Sequence, residues 1–240
     1  MRKTIKIILL MLAIFSLAST EAKTVKSRDL NRQQQAIIRI AALTGNGDLI
    51  TLKSALNTGL ATGLTINQIK EVIVHVYAYA GFPRSIRGLQ TFMSVLEERK
   101  ANGIQDNAGL GPSPITDKRP KYDRGKSNLD SLLGSPQNGT PTGYGAFAPI
   151  IDTFLKEHLF ADIFERDVLT YPQRELATIS VLASIGSVEP MLQSHMKICL
   201  NVGLSPDQLE QFIGLIQSTI GSKEANAAKK ILAIVLQNKN

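Results

Sequence analysis

Glu71, His75 and Tyr79 carry acid/base side chains and follow one another at intervals of four residues. In an α-helix this spacing places all three side chains on one face. A carboxylate beside an imidazole can orient the ring and prepare it for proton transfer. The run therefore indicates either a proton-transfer site or, as the alternative, a solvated Glu–His pair on a capped helix.

A second set of polar residues lies in the C-terminal half of the chain. Arg174 and Glu175 fall in the first turn of a predicted helix, and His195 lies within the next one. A histidine on an otherwise apolar helix is either a hydrogen-bonded core residue or a catalyst. The remaining histidine, His158, is near a predicted helix end and is expected at the surface or as a cap.

Helices must position these residues, because the apolar residues recur at helical spacing and do not alternate as in a strand. The sequence 63–70 matches 203–210, and both contain a glycine stop followed by a capped restart. This match predicts an all-α protein made of two diverged copies of one helical unit. The predicted helices are 31–44, 48–59, 65–80 and 83–100 in the first copy, a leading helix near 148–158, and 171–185, 188–202, 206–220 and 222–237 in the second.

The register between the two copies is ambiguous upstream of this match. Residues 56–60 resemble 200–204, which indicates a four-residue insertion in the first copy. The position that corresponds to His195 is then Ala55 or Thr51, and Gln34 is near the position of Glu175.

The N-terminal segment has the features of a signal peptide. Basic residues at 2, 3 and 6 precede an apolar run over 7–18 and the small residues near Ala22. A run of about 12 apolar residues is too short to span a bilayer, which needs about 20. We expect an exported protein, periplasmic or secreted, without a membrane attachment after cleavage; the alternative is an uncleaved anchor.

The rest of the chain is predicted to form two domains joined by a long connection. Residues 101–147 are rich in Gly, Pro, Asn and Ser, with at most one short helix over 127–133. A connection of this length is functional or wraps over a surface. The expected boundaries are 1–22 for the signal peptide, 23–100 for the first domain, 101–147 for the linker and 148–240 for the second domain.

Charge and cysteine content exclude several functions. Loss of residues 1–22 removes three positive charges and one negative charge, which lowers the formal net charge from +7 to +5. No basic block is interleaved with aromatic residues, so nucleic acid is not an expected partner. The single cysteine, Cys199, excludes an internal dithiol cycle and is expected to be a buried hydrophobe. The three histidines have no ligand spacing, so neither a metal nor another cofactor is expected.

Several of these motifs together resemble the carboxymuconolactone decarboxylase family, which has the alkylhydroperoxidase-like fold. The resemblance covers both halves, so the chain looks like two such domains in tandem. It is carried by Gly-Leu-Thr at 63–65, Glu71, Tyr-Ala-Gly-Phe-Pro at 79–83, the connecting segment 154–160, Arg-Glu-Leu at 174–176 and the spacing from His195 to Gly203.

This resemblance implies an all-helical, oligomeric protein and one of two chemistries. Decarboxylating members use acid/base groups on a small unsaturated carboxylate or lactone. Alkylhydroperoxidase-like members use a Glu, a Cys-x-x-Cys pair and a His. Glu175 and His195 match the Glu and the His, but Val188 and Met191 occupy the cysteine positions. Without thiolates there is no nucleophile for peroxide.

We therefore predict one composite acid/base site between the two copies, acting on a small anionic molecule in a homo-oligomer. The alternatives are a peroxiredoxin-like antioxidant enzyme and a non-catalytic small-molecule binding or scaffold protein. The expected catalytic residues are His195 as general acid/base, Glu175 as its orienting partner and Glu71, and the expected substrate-binding residues are His75, Tyr79 and Arg174.

Overall fold

A computed structural model describes residues 29–140 and 142–237 and shows an all-α protein; no strand occurs in these two stretches. The expected fold class is confirmed. The predicted signal peptide lies outside the described residues. The helices are α1 (Arg32–Asn46), α2 (Leu49–Ala61), α3 (Ile66–Ala101), α4 (Lys121–Leu133), α5 (Gly143–Phe147), α6 (Pro149–Phe154) with a π-helical continuation (Leu155–Ile163), α7 (Tyr171–Ile185), α8 (Glu189–Asn201), α9 (Pro206–Thr219) and α10 (Ser222–Gln237).

Corresponding helices of the two copies begin in the same way. The side chain before the first turn accepts a hydrogen bond from the backbone N–H three residues later, and a glutamine at that position returns the bond. Such caps are worth about 1 kcal/mol each. The capped starts predicted from the sequence are confirmed. The pairs are Asn31 with Gln34, Thr65 with Gln68, Thr170 with Gln173 and Ser205 with Gln208.

A glycine divides α3 into two straight halves. Gly81 has φ 81° and ψ 162°, a conformation that a residue with a side chain rarely adopts. Pro83 follows with no backbone N–H to continue the first half. In the second copy Gly221, with φ 149°, separates α9 from α10 at the matching place. The two halves of α3 therefore correspond to α9 and α10.

The structure shows that the residues of α2 correspond one to one with those of α8, without an insertion. Both helices have 13 residues. Each ends in a left-handed glycine, and the next N–H bonds back in the same way: Leu64 N donates to Gly59 O and Leu204 N to Cys199 O. The predicted four-residue insertion is therefore wrong, and the position of His195 corresponds to Ala55.

The caps of α1 and α7 settle the other ambiguous position. Gln34 corresponds to Gln173, because both return the bond of a helix cap. Two residues further along each helix, Glu175 of the second copy corresponds to Ala36 of the first. Gln34 is therefore a capping residue and does not replace Glu175.

The two copies share one hydrophobic core. Helices α1 and α7 pack against each other at its centre, the first half of α3 packs on α7, and α9 packs on α1. Residues from both central helices, among them Ile37, Ile40, Ile179 and Val181, are fully buried in one cluster. Burying such a side chain is worth about 1.5–3 kcal/mol. Each copy therefore depends on the other for its buried surface.

The connection between the copies contains more helix than its composition indicates. Helix α4 covers 121–133 instead of the short segment 127–133, and α5 covers part of the predicted loop. Helix α4 packs on the π-helical segment so closely that a side chain at Gly125 would not fit: its Cβ would lie 1.7 Å from the carbonyl oxygen of Lys156. A second apolar cluster around Leu132, Phe160 and Ile163 holds these segments together. These contacts join distant parts of the chain and are not visible in the local sequence. The prediction from the local sequence therefore made α4 too short.

The leading helix predicted near 148–158 is α6 followed by the π-helical segment, which extends it to Ile163. Within the described parts of the chain, no helix combines the length and apolar character needed to cross a membrane.

Candidate functional site

The packing of α3 on α7, which carries α8 beside it, brings all six expected site residues together. Helix α3 of the first copy supplies side chains from successive turns of one face, and the second copy supplies the rest. Only their long-range packing creates the site. Its polar side chains are Glu71, His75 and Tyr79 from α3, Arg174, Glu175 and Thr178 from α7, and His195 from α8.

Glu175 and His195 form a direct pair. The Oε2 atom of Glu175 lies 2.8 Å from Nδ1 of His195. The glutamate is fully buried, whereas the histidine side chain is 13% exposed. Since Nδ1 donates to the carboxylate, Nε2 is the nitrogen left for another molecule. The two residues therefore lie in direct contact, and their catalytic roles stay a prediction.

The second oxygen of Glu175 is an unusual feature of this pair. Oε1 is buried and has no hydrogen-bond partner in the described part of the chain, and the same holds for Nε of Arg174. An unpaired buried polar atom costs about 1–3 kcal/mol. Such atoms are few in folded proteins and concentrate at functional positions.

Glu71 binds two arginines and not the neighbouring histidine. Its carboxylate accepts hydrogen bonds from Arg174 Nη2 at 2.8 Å and from Arg166 Nε and Nη2 at 2.9 Å each. Arg174 also donates to the carbonyl of Arg166. Both the expectation that Glu71 orients His75 and the alternative of a solvated Glu–His pair are therefore wrong. The carboxylate is buried, and its charge is compensated by the arginines.

His75 is a fully buried, neutral ring within the same network. Its Nε2 lies 2.8 Å from Thr178 Oγ1, and its Nδ1 lies 3.4 Å from Arg174 Nη1. Burial, together with the charge of Arg174 and the proximity of His195, holds the pKa of His75 well below its ordinary value. Because the arginine can only donate, Nδ1 accepts and Nε2–H donates to the threonine.

Tyr79 connects the buried network with the exposed side of the site. Its hydroxyl lies 3.3 Å from Thr178 Oγ1, and its ring meets the ring of His195 edge-on at 5.8 Å between centroids. Burial and the nearby charge of Glu175 raise the pKa of the phenol, so it stays protonated. Tyr79 also lines a cavity of about 400 Å³ together with Asn46, Arg84 and four further residues.

The residues therefore divide into two groups by exposure. Tyr79 and His195 are partly exposed. The others, Glu71, His75, Arg174, Glu175 and Thr178, are buried.

Two members of the network were missed in the sequence. Thr178 lies one turn after Arg174 on the same face, a signal that helical spacing could have supplied. Arg166 lies in the segment before α7 and meets Glu71 across 95 residues of sequence. No local pattern predicts that contact, because it depends on how α3 packs on α7.

The remaining candidates lie elsewhere or are inert. His158 is exposed and pairs with Asp162 at 3.2 Å, as its expected surface position implies. Cys199 is fully buried, and burial together with the charge of Glu175 raises the pKa of its thiol well above the ordinary value. In the described ranges, no three His, Cys, Asp or Glu side chains are grouped so as to hold a metal ion.

The fold agrees with the comparison to known families. The sequence model of the carboxymuconolactone decarboxylase family matches the chain twice, over residues 13–92 and 151–233. These matches span more than half of the chain, and the chain belongs to this family. The two matched regions correspond to the two helical copies, which confirms the tandem arrangement.

One curated relative is the 4-carboxymuconolactone decarboxylase of Acinetobacter baylyi. It is 27% identical over 109 residues, which are 45% of this chain and 81% of the relative. This chain is therefore similar to a protein that corresponds to about one of its two copies.

Proposed function

We propose that this protein is an acid/base lyase that decarboxylates a small carboxylate or lactone at the α3–α7–α8 site. The observation that carries the proposal is the Glu175–His195 pair, a buried carboxylate bonded to a partly exposed imidazole. Family membership and the name of the relative support the same class of reaction.

In the proposed reaction, His195 acts as the general acid. Loss of CO₂ breaks a carbon–carbon bond and leaves its electron pair on a carbon conjugated with the lactone carbonyl. The imidazolium donates a proton to that carbon and later regains one from water. Glu175 orients the ring and stabilises its charged form.

The buried residues position this pair and do not bind substrate directly. Glu71 and Arg174 are buried, and together with the partly exposed Arg166 they form an ion-pair network that fixes α3 against α7. His75 and Thr178 extend it to the hydroxyl of Tyr79. This division of roles revises the expectation that His75 and Arg174 bind the substrate.

The cavity beside Tyr79 supports an anionic substrate. It offers space of about 400 Å³, and the guanidinium of Arg84 forms part of its wall. A guanidinium matches a carboxylate with two parallel hydrogen bonds. Tyr79 lines this cavity and its ring contacts that of His195, so the tyrosine connects the cavity with the histidine, which does not itself line it.

A peroxide-reducing function has less support. That chemistry needs a thiolate that peroxide can reach. The one cysteine of the chain is buried and its pKa is raised. The third candidate, a binding or scaffold protein without catalysis, gives no role to the partly exposed imidazole that Glu175 orients.

Export and self-association are also proposals. The basic and apolar composition of residues 1–22 supports export. A group of exposed apolar side chains on α5 and α6 supports a homo-oligomer: Tyr144, Phe147, Ile150, Ile151 and Phe154.

The test of the proposed reaction measures CO₂ release from 4-carboxymuconolactone by the wild type and by two histidine variants. We expect His195→Gln to lower turnover about 10²–10⁴-fold, the usual contribution of general acid/base catalysis. His158→Gln is the matched control, because His158 is exposed and paired with Asp162 outside the site; it should leave turnover unchanged. Equal turnover in wild type and His195→Gln would sink the proposal.

A second measurement covers a different substrate within the same class. The histidine ring signals are followed by NMR during titration with a panel of small lactones and dicarboxylates. A ligand that moves the His195 signals and leaves those of His158 in place identifies the substrate class. If no member of the panel moves the signals of His195 or Tyr79, the site does not bind this class.

A further inference from the structure

The tandem arrangement creates a second interface that corresponds to the candidate site. In the candidate site, α3 of the first copy packs on α7 of the second, which carries α8 beside it. In the other, α9 of the second copy packs on α1, which carries α2 beside it. A cavity of about 470 Å³ lies between these three helices. It is as large as many small-molecule sites.

The cavity lies where the acid/base pair is located in the candidate site. Ala36 corresponds to Glu175 and Ala55 to His195, and both alanines line the cavity. Two small side chains thus stand where the candidate site has a carboxylate and an imidazole. The second interface therefore has space for a ligand but lacks the groups that would transfer a proton.

Both interfaces have a hydrogen bond at the same pair of corresponding positions, but different residue types form it. Arg39 on α1 corresponds to Thr178, and Thr219 on α9 corresponds to Tyr79. Arg39 Nη1 donates to Thr219 Oγ1 at 3.2 Å, where the candidate site has the Thr178–Tyr79 contact at 3.3 Å. This bond uses one N–H of the guanidinium, and Arg39 lines the cavity. Further N–H groups of Arg39 can bind a ligand.

The charges at the two interfaces differ. In the candidate site, Glu71 and Glu175 balance Arg166 and Arg174. At the second interface Glu71 is replaced by Gln211, which bonds to Leu30 N and Asp29, and Glu175 is replaced by an alanine.

The positive charge of the cavity lining is not balanced by any carboxylate that the structure describes. Arg32 and Arg39 both line it, and neither forms an ion pair with a carboxylate among the described residues. No lining residue is acidic. Serine and threonine residues form part of the remaining wall. The hydroxyls of Thr58 and Ser218 donate to carbonyls of their own helices, whereas the hydroxyl of Ser54 donates no hydrogen bond among the described residues.

We propose that the cavity between α1, α2 and α9 binds a small organic carboxylate and holds it without chemical change. The uncompensated guanidinium groups select an anion, and the hydroxyls of Ser54 and Thr219 can donate to further oxygen atoms of the ligand. This site is distinct from the candidate site and does not depend on the reaction proposed there.

The test uses succinate as the probe and the full chain. Amide signals of Ala36, Ala55 and Thr219 report on the second site, and those of Thr178 and His195 report on the candidate site in the same NMR spectra. We expect succinate to move the first group of signals. Arg39→Gln should weaken this binding about tenfold or more, since hydrogen bonds to charged groups are among the stronger ones.

Two further variants separate the binding from general effects. Ala55→Leu fills the cavity and should abolish binding without removing a charge. Arg87→Gln removes an exposed charge on α3, where the Arg87 side chain bonds only to Gln90 in the described structure, and should leave the affinity unchanged. Thermal melting of each variant establishes that it is folded.

Three results would overturn the proposal. The first is that succinate at about 10 mM, which detects even weak binding, leaves the signals of Ala36, Ala55 and Thr219 in place. The second is that it moves only the signals around His195. The third is that folded Arg39→Gln and Ala55→Leu bind as tightly as Arg87→Gln.

Discussion

The two interfaces between the copies are built from corresponding helices, yet they differ in charge: one contains buried carboxylates bonded to basic residues, and the other contains arginines without carboxylate partners in the described structure. At the α3–α7–α8 interface, Glu71 and Glu175 are buried and bond to two arginines and a histidine. At the α1–α2–α9 interface, the corresponding positions hold Gln211 and Ala36, and a cavity lined by arginine lies between the helices. One interface concentrates polar groups in the interior, and the other leaves space.

This difference shows what joining two copies in one chain permits. In a symmetric dimer of identical subunits, every substitution occurs at both equivalent interfaces. In a tandem chain the two interfaces can change separately. Here one keeps the acid/base pair, while the other has small residues at Ala36 and Ala55.

The largest expected effect comes from breaking the buried ion pairs of Glu71. Glu71→Gln leaves Arg174 buried without its counter-charge and should lower the free energy of unfolding by about 3–5 kcal/mol. The matched variant is Gln211→Ala at the corresponding position. It removes one hydrogen bond from Leu30 N and one to the exposed carboxylate of Asp29 but leaves no buried charge without a partner, and we expect about 1–2 kcal/mol. Denaturant unfolding measures both; equal losses would contradict the contrast between the two interfaces.

The next effect is a pH dependence that only the α3–α7–α8 interface should have. The pKa of His75 is held well below 6.5 in the folded protein, whereas the unfolded chain has the ordinary value. Its stabilising contribution is therefore complete above about pH 6.5 and falls as the unfolded chain takes up a proton below that pH. The loss approaches ~1.4 kcal/mol per pH unit.

Comparison with His75→Gln isolates this contribution. The wild type should lose stability between about pH 6.5 and 5 more steeply than the variant, because the variant has no buried imidazole. The corresponding residue of the second copy, Leu215, does not titrate. Parallel curves for the two proteins would show that His75 is not held neutral by the fold.

The smallest expected effect concerns the thiol, which should not react at all in the native state. Cys199 is fully buried with a raised pKa and corresponds to Gly59 of the first copy. A thiol reagent should label it only after unfolding, and hydrogen peroxide should not be consumed above the rate of Cys199→Ala. Rapid labelling of the folded protein would favour redox chemistry at the second copy and weaken the acid/base proposal.

The helices of the fold could be predicted because their signals are local. Asn31, Thr65, Thr170 and Ser205 each precede a glutamine at the capping distance, and the helix starts follow from that spacing. Helix α4 was underestimated, since its sequence is largely polar and its buried contacts, such as Leu132, belong to a cluster formed with distant residues.

The site could be predicted only in part. Glu175 and His195 were paired through the family resemblance, and their contact has the expected geometry. The partner of Glu71 was predicted wrongly. Helical spacing places His75 next to it, but it gives no information about Arg166, which is 95 residues away in the sequence.

By itself, the sequence determined the all-α class, the duplication, the helix caps and the absence of a dithiol pair, since periodicity, capping and cysteine number are properties of short segments or of composition. Only the tertiary structure decided which residues meet across the two interfaces. The packing of α3 on α7 buries Glu71 and His75 and pairs Glu71 with arginines, and the packing of α9 on α1 leaves a cavity between alanines. The physical reason is that burial and charge compensation depend on contacts between residues far apart in the chain, which no local pattern encodes.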